Sequence, residues 1–125
     1  MPEAPSNQAD NLLRLIAALL KPEAAGPTSW FATPAAVQAA SAFVRELYAH
    51  EERAWPEPAV DAALDEGVDI IWRRGGRGVQ VQVAGSGQPP HNLWRLVSGE
   101  RPDLVGAAEL SRVRELLAWA CRPAA

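Results

Sequence analysis

The sequence predicts an α+β domain, and three observations carry that reading. Apolar residues recur at helical spacing in some stretches and alternate with polar residues in others; the alternating stretches are consecutive; helical ones lie before and after them. The expected architecture is a three-stranded antiparallel β-meander, about 67–73, 78–84 and 93–97. Three or four helices would pack it, about 11–21, 34–53 and 107–121, with 58–66 as the fourth. A length of 125 residues fits a single domain over 10–125, preceded by a loose tail over 1–9.

The first helix is read from Leu12, Leu13, Ile16, Leu19 and Leu20, with Asp10 at the N-cap and Pro22 as the stop. Residues 22–33 form a linker broken by Pro22, Gly26 and Pro27, in which Trp30 and Phe31 are an apolar pair. Thr33-Pro34 is a strong helix start, a hydroxyl cap followed by a residue whose φ is already helical. Val37, Ala40, Val44, Leu47 and Tyr48 then mark one face of the second helix. After Trp55-Pro56-Glu57-Pro58, the alanines and Leu64 favour a short helix over 58–66, with an extended run into the next strand as the alternative.

From Gly67 the period shortens to two. Val68, Ile70 and Trp72 alternate with Asp69, Ile71 and Arg73; Val79, Val81 and Val83 alternate with Gln80 and Gln82. The connection Arg74-Gly75-Gly76-Arg77-Gly78 reads as a tight hairpin turn, with the Gly75-Gly76 pair supplying positive φ angles. Ile71 in the polar phase indicates that the second sheet face is only partly exposed. Residues 85–92 read as a loop, Leu93–Val97 as the third strand, and 100–107 as a loop or a helical turn begun by Pro102 and Asp103. Leu110, Val113, Leu116 and Leu117 give the last helix its inward face.

Composition bounds the function classes. The apolar fraction of 48% includes 24 alanines, and the remainder is the ordinary supply of a globular core. Its longest apolar run, Leu15–Leu20, is far below a membrane span, and the polar, acidic start lacks a signal peptide's basic flank. A cytoplasmic address and no membrane partner follow as expectations. The single cysteine, Cys121, excludes an internal disulfide. His50, His91 and Cys121 have no metal-ligand spacing, so no metal site and no cofactor are expected.

The net charge of −3 is unevenly distributed. Residues 46–69 carry eight acids and Arg53, a net of −7; residues 70–101 carry five arginines and Glu100, a net of +4. No serine sits in a nucleophile elbow, the glycine-rich turn lacks the Lys-Ser/Thr of a P-loop, and no catalytic residue is assigned. The sequence therefore points first to a non-enzymatic binding or regulatory protein, acting on another protein or on itself. Trp30 and Trp55, read as loop-borne indoles, are its candidate contact residues, because tryptophan is enriched at interface hot spots. One alternative is nucleic-acid contact through a hairpin tip of Arg73, Arg74 and Arg77, since guanidinium groups bind phosphate bidentately. A second is hydrolase-like chemistry by acids of the 46–69 block. No spacing identifies a small-molecule ligand.

Overall fold

A computed structural model describes residues 5–20, 31–49 and 55–122. Helices α1 (Pro5–Ala17) and α2 (Pro34–Tyr48) precede strands β1 (Ala59–Ala62), β2 (Val68–Arg74), β3 (Arg77–Val83), β4 (Asn92–Val97) and β5 (Asp103–Ala107), and α3 (Leu110–Cys121) follows. The class is α+β, and the sheet is a five-stranded antiparallel meander in the order β1-β2-β3-β4-β5.

Two strands replace segments expected to be helix or loop. The expected helix over 58–66 is instead β1 and a turn, with Ala59–Ala62 paired antiparallel to β2 in the register Ala59↔Ile71 to Ala62↔Val68. Alanine's helix propensity is worth only tenths of a kcal/mol per residue, too little to hold so short a segment against strand pairing. Residues 100–107 supply β5, with Pro102 just outside the ladder, where its missing N–H costs nothing. The period of two is broken there by a register shift between Leu93 and Trp94, which leaves Val105 as an extra residue between Leu104 and Gly106.

Helix bounds also move. α1 begins at Pro5, so the expected tail over 1–9 is helical from that residue; proline suits a first turn, where an N–H has no intrahelical acceptor. Asp10 is consequently inside the helix rather than its cap. α1 ends at Ala17, before the expected residue 21, and Leu20 then forms a parallel bridge with Ala32. Thr33 caps α2 as expected, its hydroxyl accepting from the Ala36 N–H at 3.0 Å. α2 is described to Tyr48 and the expected stretch 50–53 lies outside the described residues, whereas α3 starts at Leu110 rather than 107.

The core lies between one sheet face and the three helices. Val68, Ile70, Trp72, Val79, Val81, Val83 and Leu93 are fully buried against Leu12, Ile16, Val44, Leu47, Val113 and Leu117. A polar chain runs through this apolar layer. Trp72 Nε1–H donates to Tyr48 Oη at 3.1 Å, Tyr48 O–H donates to Gln8 Oε1 at 2.8 Å, and Gln8 Nε2–H donates to the Trp55 carbonyl at 2.6 Å. Gln8 is only 4% exposed and tolerable inside because both ends of its amide are engaged. It stands one and two turns before Leu12 and Ile16 on the inner face of α1, a position that a purely apolar count overlooks.

Candidate functional site

Among the described residues no helix packs on the second face of the sheet, and pairing sorts its side chains into cross-strand rows. Ala59, Ile71, Gln80, Trp94 and Leu104 are successive partners from β1 to β5 and form a central row. Two residues away along β2 lies an acidic and polar row, Asp61, Asp69, Gln82 and Asn92. On the other side lies a row of Arg73, Gly78 and Leu96. Gly78 is required there: a Cβ would stand 3.0 Å from the Trp72 carbonyl oxygen and 3.3 Å from Leu96 Cβ.

From each block a part reaches this face: Asp61 and Asp69 at one margin and Arg73 at the other, about 13 Å apart from Asp69 to Arg73 along an extended strand, while Arg74, Arg77 and Arg95 fall in the helix-side phase. They do not neutralise each other by contact. Among the described residues the ion pair that forms is Arg95–Asp103, at 2.8 Å between β4 and β5. The central row is partly apolar, with Ile71 and Trp94 half-buried and Leu104 51% exposed. Trp94 Nε1–H and Asn92 Nδ2–H both reach Gln82 Oε1 at 3.4 Å, and a shallow hollow of about 370 Å³ opens over Gln80, Gln82, Trp94, Arg101 and Pro102.

Asp69 is the strained member of this face. Its Oδ1 is buried and accepts no hydrogen bond. Burial pushes its carboxyl above the ordinary range; the Gln80 amide opposes that, Asp65 and Asp61 reinforce it, and Gln82 opposes it weakly. Like charges opposite each other across a ladder are destabilising, so the Asp61↔Asp69 pair is held at a cost. Neither residue lines the hollow over Trp94. His91 titrates below its ordinary value because burial disfavours its cation, and its Nδ1 accepts the Ala84 N–H at 3.2 Å.

The sequence-predicted contact residues separate in space. Arg73 is exposed on the open face, whereas Arg74, one residue on, points to the helix side of the same strand end. Arg77, opposite Arg74, donates from Nη1 to the Trp119 carbonyl at 3.0 Å and lies 5.1 Å from the centre of the Trp119 ring. It thereby satisfies a terminal carbonyl of α3 and complements the negative end of that helix. Trp55, expected at a surface, is 8% exposed; its ring meets Tyr48 edge-on at 5.1 Å, so it is a core residue. Trp30 and His50 lie outside the described residues.

In the hairpin turn Gly75 has φ +60° and supplies the positive angle alone, the pattern of a II′ turn rather than two left-handed glycines. Sequence reasoning put Gln80 and Gln82 on the polar face but missed Trp94 and Leu104 as their neighbours there, although Ile71 in the polar phase was a signal that this side is not simply solvent-facing. Among the described residues no group of three metal-ligating side chains gathers, and no helix is long and apolar enough to cross a membrane. Comparison with family models, with curated proteins and with solved structures finds no match to this chain.

Proposed function

We propose that this chain is a non-catalytic binding protein that works through the open face of its sheet, and that the partner this face fits best is a second copy of itself. The supporting observation is the symmetry of β2. Asp69 and Arg73 stand two residues to either side of Ile71, all three on the uncovered face. A two-fold axis in the plane of that face, running across the strands through Ile71, lays a second copy face to face with its strands reversed. The central row then meets itself, and Asp69 of each copy meets Arg73 of the other. A two-fold axis along the strands would instead bring acid onto acid, so the charge pattern selects one arrangement of the two.

Five strands spaced ~4.8 Å apart, with residues rising ~3.4 Å along each, present on the order of 500 Å² per copy, the low end of specific interfaces. A reversible dimer with a dissociation constant of roughly micromolar order is the expectation from that size. Such a contact also brings a cation to Asp69, which forms no ion pair among the described residues. Sedimentation velocity over a hundredfold concentration range tests this reading. A monomer–dimer equilibrium that weakens with added salt is expected; a sedimentation coefficient that stays monomeric throughout contradicts it.

A further inference from the structure

A second concavity lies at the hairpin end of the sheet, next to Arg73 but lined by the helix-side residues Arg74 and Arg77. The β2–β3 turn, the end of β4 and the end of α3 border a half-open hollow of about 440 Å³, within the volume range of small-molecule sites. Arg74, Arg77 and Arg122 line it, and no acidic side chain among the described residues does. Val97, Ala120 and Cys121 supply an apolar wall.

The guanidinium groups differ in freedom. Arg77 is fixed by its bond to the Trp119 carbonyl and its stacking on the Trp119 ring, which commits one of five N–H donors and leaves the others. Arg74 and Arg122 are exposed, with no hydrogen bond or ion pair to any described residue through their guanidinium groups. The turn adds open backbone: nothing lies within 4 Å of where a Gly75 Cβ would be, so a ligand can approach the main chain there. The carbonyl end of α3 disfavours an anion nearby, but Arg77 already answers one of those carbonyls, and two further cations outweigh the partial charge that is left.

We propose that this cavity binds the phosphate of a small phosphomonoester, the guanidinium groups holding the dianion and the Val97–Ala120–Cys121 wall receiving an apolar or ring-bearing body. A phosphate monoester matches the site better than a carboxylate because three cations surround one hollow and a tetrahedral dianion presents acceptors to all of them. The cavity's lining includes none of Asp69, Ile71 and Arg73, so D69K reads the sheet face and R74A/R122A reads the anion site separately.

Titration of the full chain with phenyl phosphate, inorganic phosphate and benzoate, followed by amide and guanidinium NMR shifts at constant ionic strength, tests the proposal. Saturable shifts are expected at residues 74–77, 97–98 and 120–122, with phenyl phosphate binding tighter than phosphate and at least tenfold tighter than benzoate. R74A/R122A alters only exposed, unbonded side chains and should keep the dispersed spectrum while weakening phenyl phosphate at least tenfold. Equal affinity of that variant, shifts that never saturate, or benzoate binding as well as phenyl phosphate would each overturn the proposal. So would a short oligonucleotide that binds at this end where phenyl phosphate does not, since the surface would then read phosphodiesters.

Discussion

Asp61 and Asp69 are direct partners across the β1–β2 ladder, and the inner of the two, Asp69, has a buried carboxylate oxygen with no donor. Two acids in that relationship lower the stability of the isolated chain.

Asp69→Asn removes the charge and keeps the shape. Because burial and the neighbouring acids raise the folded carboxyl above its ordinary value of 3.8, the folded state holds its proton more tightly than the unfolded state. The stability linked to that proton is present below pH 3.8 and is lost as pH rises through the folded value. At neutral pH the asparagine variant should melt higher than the parent at concentrations where both are monomeric, and the gain should vanish toward pH 3. The same variant should dimerise less well, so fold and association move in opposite directions. A thermal midpoint equal to the parent's at pH 7 and at pH 3 contradicts the assignment.

Trp72 is the largest side chain in the core and heads the polar chain to Tyr48, Gln8 and Trp55. Trp72→Ala should cost about 3–5 kcal/mol, from lost burial and the cavity it leaves. Tyr48→Phe deletes only a hydroxyl, yet it orphans the Trp72 N–H and the Gln8 carbonyl oxygen and should cost about 1–3 kcal/mol. Urea denaturation measures both. A Tyr48→Phe change within a few tenths of a kcal/mol would mean that water or another donor replaces the hydroxyl.

Arg77 is expected to hold α3 to the hairpin. Arg77→Ala removes the bond to the Trp119 carbonyl and the cation–π contact, about 1–2 kcal/mol together. Arg74→Ala, on an exposed and unbonded side chain, should leave the unfolding midpoint where it was. Equal losses from the two would place Arg77 with the solvated arginines instead.

How much of this was legible follows from what kind of signal each part gives. The hairpin was readable because Val68, Ile70, Trp72 and Val79, Val81, Val83 keep a strict period of two around a diglycine turn, and the structure places β2 and β3 within one residue of the expected bounds. β1 was obscured because Ala59, Ala62 and Ala63 favour a helix locally, a preference that pairing with β2 overrides. β5 was obscured by the bulge that leaves Val105 as an extra residue between Leu104 and Gly106. Gln8 has no sequence signal at all: its burial depends on Tyr48 and the Trp55 carbonyl, more than 39 residues away. The open face was partly announced by Ile71, but its rows exist only once β1 to β5 are in register. The charge split was visible as two blocks; that Asp69 and Arg73 share one face while Arg74 and Arg77 lie in the other phase required the strand register.

Trp94→Ala separates the face from the fold. The ring is half-buried on the open side, in the opposite phase from the buried Leu93, so the variant should fold while its dimer dissociation constant rises at least tenfold. Unchanged association would remove the central row from the interface.

Charge exchange between Asp69 and Arg73 puts the self-recognition of this face to the test. Asp69→Lys places like charges opposite Arg73 of the second copy, and Arg73→Glu does the same opposite Asp69, each twice per dimer. Sedimentation equilibrium of the two single variants should show the dimer weakened at least tenfold, and the double variant D69K/R73E should recover parental association, because lysine then faces glutamate. A double variant no more dimeric than either single one would contradict the two-fold arrangement through Ile71.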